Sequence, residues 1–230
     1  MKIGLFSDPH YKLVDGEERK HKQSLEKVKG VLEIFKKENC SLAICLGDII
    51  DTEAKHKQEI ENLKEIADAF DNSGMEIVAL MGNHDGFCFT SDEFYQVLGE
   101  EYRPRTMRFG DKSLAFVDAN FFENGKGYAP GDTEWENTFV PNLDEIREEI
   151  ESSLGDTYVF IHQNVDPDIL ESHRIANDVE FRKMITESGK VRAVIQGHFH
   201  DGKISCHDGI DYITVPAMCE HELPYYILEI

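Results

Sequence analysis

Nine side chains able to hold a metal ion or move a proton stand at the ends of apolar runs: Asp8, His10, Asp48, Asn83, His84, Asp85, His162, His198 and His200. The densest group follows Ile77-Val78-Ala79-Leu80-Met81, which reads as a short buried strand. Gly82 then permits a sharp turn, and an amide, an imidazole and a carboxylate come at once as Asn83-His84-Asp85. Such groups pack poorly behind a buried strand, but they suit an active-site rim, because ligands in open α/β sheets bind outside the carboxyl ends of the strands. Imidazole and carboxylate donors together suit borderline first-row divalent ions, and the lack of cysteine at these positions argues against a structural zinc knot. So many N and O donors fit two ions better than one, with an aspartate bridging them. Two ions about 3.5–4 Å apart activate a shared water and clamp a phosphoryl group.

These groups need elements that bring them to one place. Residues 2–7 read as a strand that ends in Ser7-Asp8-Pro9-His10, where Pro9 stops the ladder. Asp8 and His10, two apart on an extended backbone, point the same way. Apolar residues at helical spacing predict a helix over residues 17–37, and Ser41–Leu46 reads as a buried strand ending in Gly47-Asp48. A second helix spans about 53–71 and leads back to the strand before Asn83. The resulting β-α-β-α-β order predicts a mostly parallel sheet. Further strands are expected at 114–118, at 157–161 ending in His162, and at 191–195 ending in Gly197-His198-Phe199-His200. Helices are expected near 143–153 and 178–188, and three short strands after Gly202. Residues 120–142 hold four Phe or Tyr and the only Trp, and read as a loop insertion in a single domain over 1–230.

Composition narrows the partners. Lys and Arg number 24 against 45 Asp and Glu, for a net charge of −21, which disfavours a long nucleic acid. A phosphate ligand would then need local positive charge, which bound metal ions supply. No apolar run is long enough to span a membrane. The chain opens on what reads as a strand, so no signal peptide is expected. Cys40, Cys45, Cys88, Cys206 and Cys219 form no CxxC pair, as expected of reduced thiols in the cytoplasm. His21, His56 and His173 have charged neighbours and are expected to be exposed, with His207 on a strand surface.

Taken singly, each residue has an ordinary structural use. Asp48 could start a turn or cap a helix, and Asn83 could sit in the left-handed region. Together, Asp8-Pro9-His10, Gly47-Asp48, Gly82-Asn83-His84-Asp85, the strand-end His162 and Gly197-His198-Phe199-His200 resemble the calcineurin-like metallophosphoesterase family. All five blocks stand in the family's order and frame residues 1–201. The resemblance implies a four-layer α-β-β-α sandwich, two mixed sheets flanked by helices, in the α/β (α+β) class. It also implies two divalent ions (Mn, Fe or Zn), one held by Asp8, His10, Asp48 and His200 and the other by Asp48, Asn83, His162 and His198. A metal-bridging hydroxide would attack phosphorus. His84 would face the leaving-group oxygen as proton donor, and Asp85 would hold His84 in the right tautomer.

Family membership fixes the chemistry better than the substrate. The expectation is hydrolysis of a phosphodiester or pyrophosphate in a small, nucleotide-like molecule. More loosely, the chain is similar to the manganese-dependent ADP-ribose/CDP-alcohol diphosphatase-like branch, on the Arg19–Leu25 segment, Gly47–Asp51, Gly197–Gly202 and Ile213–Met218. Arg19 and Lys22 could bind a second phosphate, Asn164 and His221 could approach the substrate, and Phe87, Phe89, Phe121, Phe122, Tyr128 and Trp135 could stack a base or bury the long loop. The alternatives are a small-molecule phosphomonoesterase and a non-catalytic metal-binding scaffold. Retention of His84 and every implied ligand counts against the scaffold. Oligomeric state is left open by the sequence.

Overall fold

The computed structural model describes residues 1–132 and 139–230. Three segments that alternate in sequence, β1 (Lys2–Phe6), β2 (Leu42–Cys45) and β3 (Ile77–Ala79), pair in parallel, with α1 (Ser24–Lys37) and α2 (His56–Ser73) as crossovers. The C-terminal strand β10 (Tyr226–Glu229) joins antiparallel beside β1, giving the order β10-β1-β2-β3. The second half builds the other sheet, from β4 (Met107–Phe109), β5 (Lys112–Val117), β6 (Thr157–Ile161), β7 (Val191–Gln196), β8 (Lys203–His207) and β9 (Ile210–Thr214). Its order is β4-β5-β6-β7-β9-β8, parallel except at the two edge strands. Helices α3 (Asn83–Cys88), α4 (Ser91–Leu98), α5 (Leu143–Ser152) and α6 (Asp178–Ser188) complete the chain. Two mixed sheets flanked by helices is the architecture the resemblance implies.

Strand periodicity sorts the core into layers. Ile3 and Leu5 of β1, Leu42 and Ile44 of β2, and Phe160 of β6 meet Ile195 and Ile213 between the sheets. The alternate positions Phe6, Ala43 and Cys45 face α1 and α2, where Val28, Leu32, Phe35, Leu63, Ile66 and Phe70 close the outer layer. Val159 and Ile161 of β6 face Ile146 and Ile150 of α5 and Phe181 and Ile185 of α6. β1, β2 and β6 are therefore apolar on both faces and cannot hold their polar neighbours within the sheet. They are expelled to the strand ends.

Two differences from the sequence reading bear on the site. Helix α1 starts at Ser24, not near residue 17, after a 3-10 turn at His21–Gln23. The freed segment 12–20 becomes a loop, closed by Gly16 N–H donating to the Arg19 carbonyl at 3.0 Å. Asn83 and His84 open helix α3, an element the sequence reading did not place. The segment between β5 and α5 is a long connection, and Tyr128 stacks there between Phe122 (4.5 Å) and Phe139 (5.4 Å). Among its described aromatics the main use is burial, and Phe89 is fully buried against Phe94. Trp135 lies outside the described residues.

Candidate metal centre

The carboxyl ends of β1, β2, β3, β6 and β7 converge, and each delivers part of one cluster. Asp8 and His10 follow β1, Asp48 follows β2, Asn83 and His84 follow β3, His162 follows β6, and His198 and His200 follow β7. The backbone works to present them. Six non-glycine residues among those described have positive φ, and four are Asp8 (52°), His10 (44°), Asp48 (50°) and His198 (64°). Left-handed backbone in non-glycine residues is uncommon and costs energy, and it concentrates where function requires it. Close approach explains two glycines. A Cβ on Gly82 would lie 2.2 Å from Asp48 Oδ1, and one on Gly197 would lie 2.0 Å from Ser7 Oγ.

Asp48 sits at the centre. Its Oδ2 lies 3.4 Å from His10 Nε2 and 3.3 Å from His162 Nε2, while Oδ1 accepts the His84 N–H at 2.8 Å. Asp8 Oδ1 lies 3.7 Å from His10 Nε2 and 3.6 Å from His200 Nε2. Asp8, His10 and His200 can therefore surround one ion, and Asp48, His162 and His198 a second. His10, Asp48 and His84 make a further group of the same size.

The donor set fits cations on an observation independent of motif. Asp8 Oδ1, His10 Nε2, Asn83 Oδ1 and His162 Nε2 are buried and have no hydrogen-bond partner. Leaving such atoms unsatisfied costs about 1–3 kcal/mol each. Donors about 2.0–2.2 Å from an ion lie roughly 3–3.5 Å from each other, close to the spacings here. The ring orientations agree. His162 Nδ1 is held by the Leu46 carbonyl at 2.8 Å and His200 Nδ1 by Glu220 Oε1 at 2.5 Å, which in both leaves Nε2 turned inward.

Without a cation, protons balance the carboxylates. Burial pushes the Asp8 and Asp48 pKa values up, but the surrounding imidazoles outweigh it and hold both well below the usual range. Burial opposes a charge on His162, yet Asp48 lifts it to about 9; at His200, Asp8 and Glu220 overcome burial and lift it to about 9. Burial and the charge of His84 push His10 down to about 4, and burial and His162 push His198 well down. Ligands must lose their protons to bind metal. Metal uptake by the stripped protein is therefore expected to release protons and to tighten as pH rises from about 6 towards 9, levelling above the two raised pKa values. Calorimetry in buffers of different ionisation enthalpy checks this, and uptake with no proton release below pH 8 would contradict it.

His84 lines the cavity above the cluster, with Nδ1 3.0 Å from Asp51 Oδ1. Burial lowers its pKa, but Asp48 and Asp51 outweigh that and hold it above the ordinary value. The expected partner, Asp85, is elsewhere. Its carboxylate accepts backbone N–H groups of Ile49 (3.0 and 3.1 Å), Ile50 (3.1 Å) and Gly82 (3.0 Å). Asp85 thus ties the Asp48 loop to the start of α3, as the third residue of a helix reaching back to its cap. Asp51, three residues after Asp48 on the same loop, orients His84. The signal was present, a second aspartate beside Gly47-Asp48.

The cavity measures about 510 Å³ and is lined by Arg19, Asp48, Asn83, His84, Phe87, His173, His198, Phe199, His200, Asp201 and Glu220. Arg19 and Phe87 are at its wall. Three other candidates are not. Asn164 is buried and donates to the Gly197 carbonyl at 3.0 Å, bracing the loop that carries His198. Lys22 is exposed, with its backbone N–H donating to Asp15 Oδ1 at 2.9 Å. His221 Nε2 lies 2.9 Å from the His200 carbonyl and so braces the ligand loop. Two histidines expected at the surface are drawn in. His21 is buried with Nδ1 2.6 Å from the His10 carbonyl, and His173 lines the cavity 5.5 Å from His198. His56 lies between Glu59 and Glu93, and His207 beside Asp166 and Asp168.

Known proteins add the following. A family model described as calcineurin-like phosphoesterase matches residues 1–202. A probable cyclic nucleotide phosphodiesterase of Psychrobacter arcticus is 24% identical over 204 residues, covering 84% of this chain and 68% of that protein. Among solved structures, a dimetal phosphatase from Danio rerio superposes with a TM-score of 0.80 at 15% identity, covering 98% of this chain and 91% of that one. The TT1561 protein of Thermus thermophilus gives 0.61 at 10% identity, covering 95% and 90%. At such identities the structural likeness concerns the fold. No helix among the described residues is long and apolar enough to cross a membrane.

Proposed function

The chain belongs to the calcineurin-like phosphoesterase family and is a metal-dependent phosphoester hydrolase, and from that premise we propose that it uses two divalent ions to cleave a phosphodiester or pyrophosphate bond in a small, nucleotide-like substrate. The observation that carries this reading is Asp48 Oδ2, set between the inward Nε2 atoms of His10 and His162 at 3.4 and 3.3 Å. One ion would be held by Asp8, His10, Asp48 and His200, and the other by Asp48, Asn83, His162 and His198. Imidazole, carboxylate and amide donors suit manganese, iron or zinc. When bound, such a pair supplies Lewis acidity at the phosphoryl oxygens and acidifies water.

The chain's own groups do the rest. His84, with Nδ1 held by Asp51 and its charged form favoured there, keeps Nε2 as the proton-carrying atom for the leaving oxygen. Arg19 stands at the cavity wall 3.5 Å from both Asp51 Oδ2 and Glu220 Oε1, so its guanidinium is pre-oriented and can take a second phosphate of a pyrophosphate or the far oxygen of a diester. Phe87, 5.6 Å from His84, offers an aromatic face for a base. The volume falls in the range of small-molecule sites. The Psychrobacter relative, a probable cyclic nucleotide phosphodiesterase, favours a diester over a monoester.

The test is hydrolysis by chelator-stripped protein reloaded with manganese. The panel is a nitrophenyl monoester, a bis-nitrophenyl diester, a cyclic nucleotide, and ADP-ribose or CDP-choline. Metal-dependent cleavage of diester or pyrophosphate above the monoester is expected. Monoester preference would replace this reading with that of a phosphatase.

A further inference from the structure

The family match ends at residue 202, yet the tail beyond it is built into the site. Between β9 and β10 the backbone is bonded to both ligand-bearing loops. Met218 N–H donates to the Ser7 carbonyl at 2.9 Å, Cys219 N–H to the Asp8 carbonyl at 3.2 Å, and Ala217 N–H to the His200 carbonyl at 3.0 Å. Lys20 N–H donates to the Cys219 carbonyl at 2.7 Å, and Lys27 Nζ to the carbonyls of Met218 (2.8 Å) and His221 (2.6 Å). These bonds fix where the Glu220 side chain emerges. Its Oε1 meets His200 Nδ1 at 2.5 Å and lies 3.5 Å from Arg19 Nε.

His200 needs such a brace more than its counterparts. Its side chain is 17% exposed, against 0% for His10 and 1% for His162. His162 is oriented by a backbone carbonyl inside the core, whereas His200 depends on a side chain from a separate part of the chain. We infer that Glu220 is a positioning residue for the metal centre. It keeps the His200 proton on Nδ1 and Nε2 aimed at Asp8, so the tail sets the affinity of the Asp8–His10–His200 half. The same oxygen steadies Arg19, linking the metal half to the substrate wall. This rests on the two-ion reading above.

The experiment is manganese titration of stripped wild type, Glu220→Ala and Glu220→Gln against a chelating indicator, with the Tm of each metal-free protein. Wild type is expected to take up two ions. Glu220→Ala is expected to bind one of them about 10–100-fold more weakly, the range seen when a carboxylate behind a ligating histidine is removed, with the other ion unchanged and only a small fall in the metal-free Tm, from the lost pair with His200. Glu220→Gln is expected to recover part of the loss, because its amide oxygen still accepts from Nδ1–H. Wild-type affinity for both ions in Glu220→Ala, or equal weakening of both with a large fall in the metal-free Tm, would overturn the inference while leaving the two-ion reading intact. Failure of wild type to bind two ions would overturn that reading and the inference with it.

Discussion

Asp48→Ala is expected to lose both ions and to reduce kcat/KM by roughly 10³-fold or more, since the Lewis acidity at stake is worth several kcal/mol and each 1.36 kcal/mol is tenfold. The reason is geometric. One carboxylate oxygen serves the His10 side and the His162 side at once, and the other oxygen fixes the His84 backbone. Removing it takes a donor from each half and leaves two buried imidazoles facing a void. Asp48→Asn separates the charge from the shape: it keeps the volume and an oxygen for the His84 N–H, yet should bind both ions far more weakly. Metal content after gel filtration, read beside the Tm, checks the pair of variants. Two ions retained in Asp48→Ala would refute the bridging role.

His84→Ala has the opposite signature. It is expected to keep both ions but lose about 10²–10⁴-fold in kcat. The loss should be greatest for substrates with poor leaving groups and small for nitrophenyl esters, whose leaving oxygen needs no proton. Because His84 Nδ1 bonds Asp51 and not Asp85, Asp51→Asn should show a smaller loss of the same kind. The double variant should be no worse than His84→Ala, since the two groups act as a unit. Asp85→Asn should behave differently. It would disturb the N–H groups of Ile49, Ile50 and Gly82 and lower stability first. Loss of metal in His84→Ala would show that its ring is a ligand, a role open to it by its place in the His10–Asp48–His84 group.

The metal-competent residues were legible because each follows an apolar strand, and parallel strands put their carboxyl ends on one side. The partners behind them were not. Asp85 adjoins His84 in sequence, but the start of α3 at Asn83 turns its carboxylate back to cap the helix, and Asp51 takes the position that adjacency suggested for Asp85. Glu220 stands 20 residues beyond His200, and only the return of the tail alongside β1 brings them together. His21 looked exposed because charged residues flank it, yet its ring nitrogen reaches the His10 carbonyl and carries it inside. Positive φ at Asp8, His10 and Asp48 follows no spacing in the sequence, although Asp and His are among the types that tolerate it best.

The most direct test is the activity of chelator-stripped protein against added manganese equivalents, with a diester as substrate. Activity should be absent at zero equivalents, rise with metal and reach its plateau at two per chain. Full activity in the stripped protein, or a plateau at one equivalent with no second ion bound, would contradict a dinuclear centre built around Asp48.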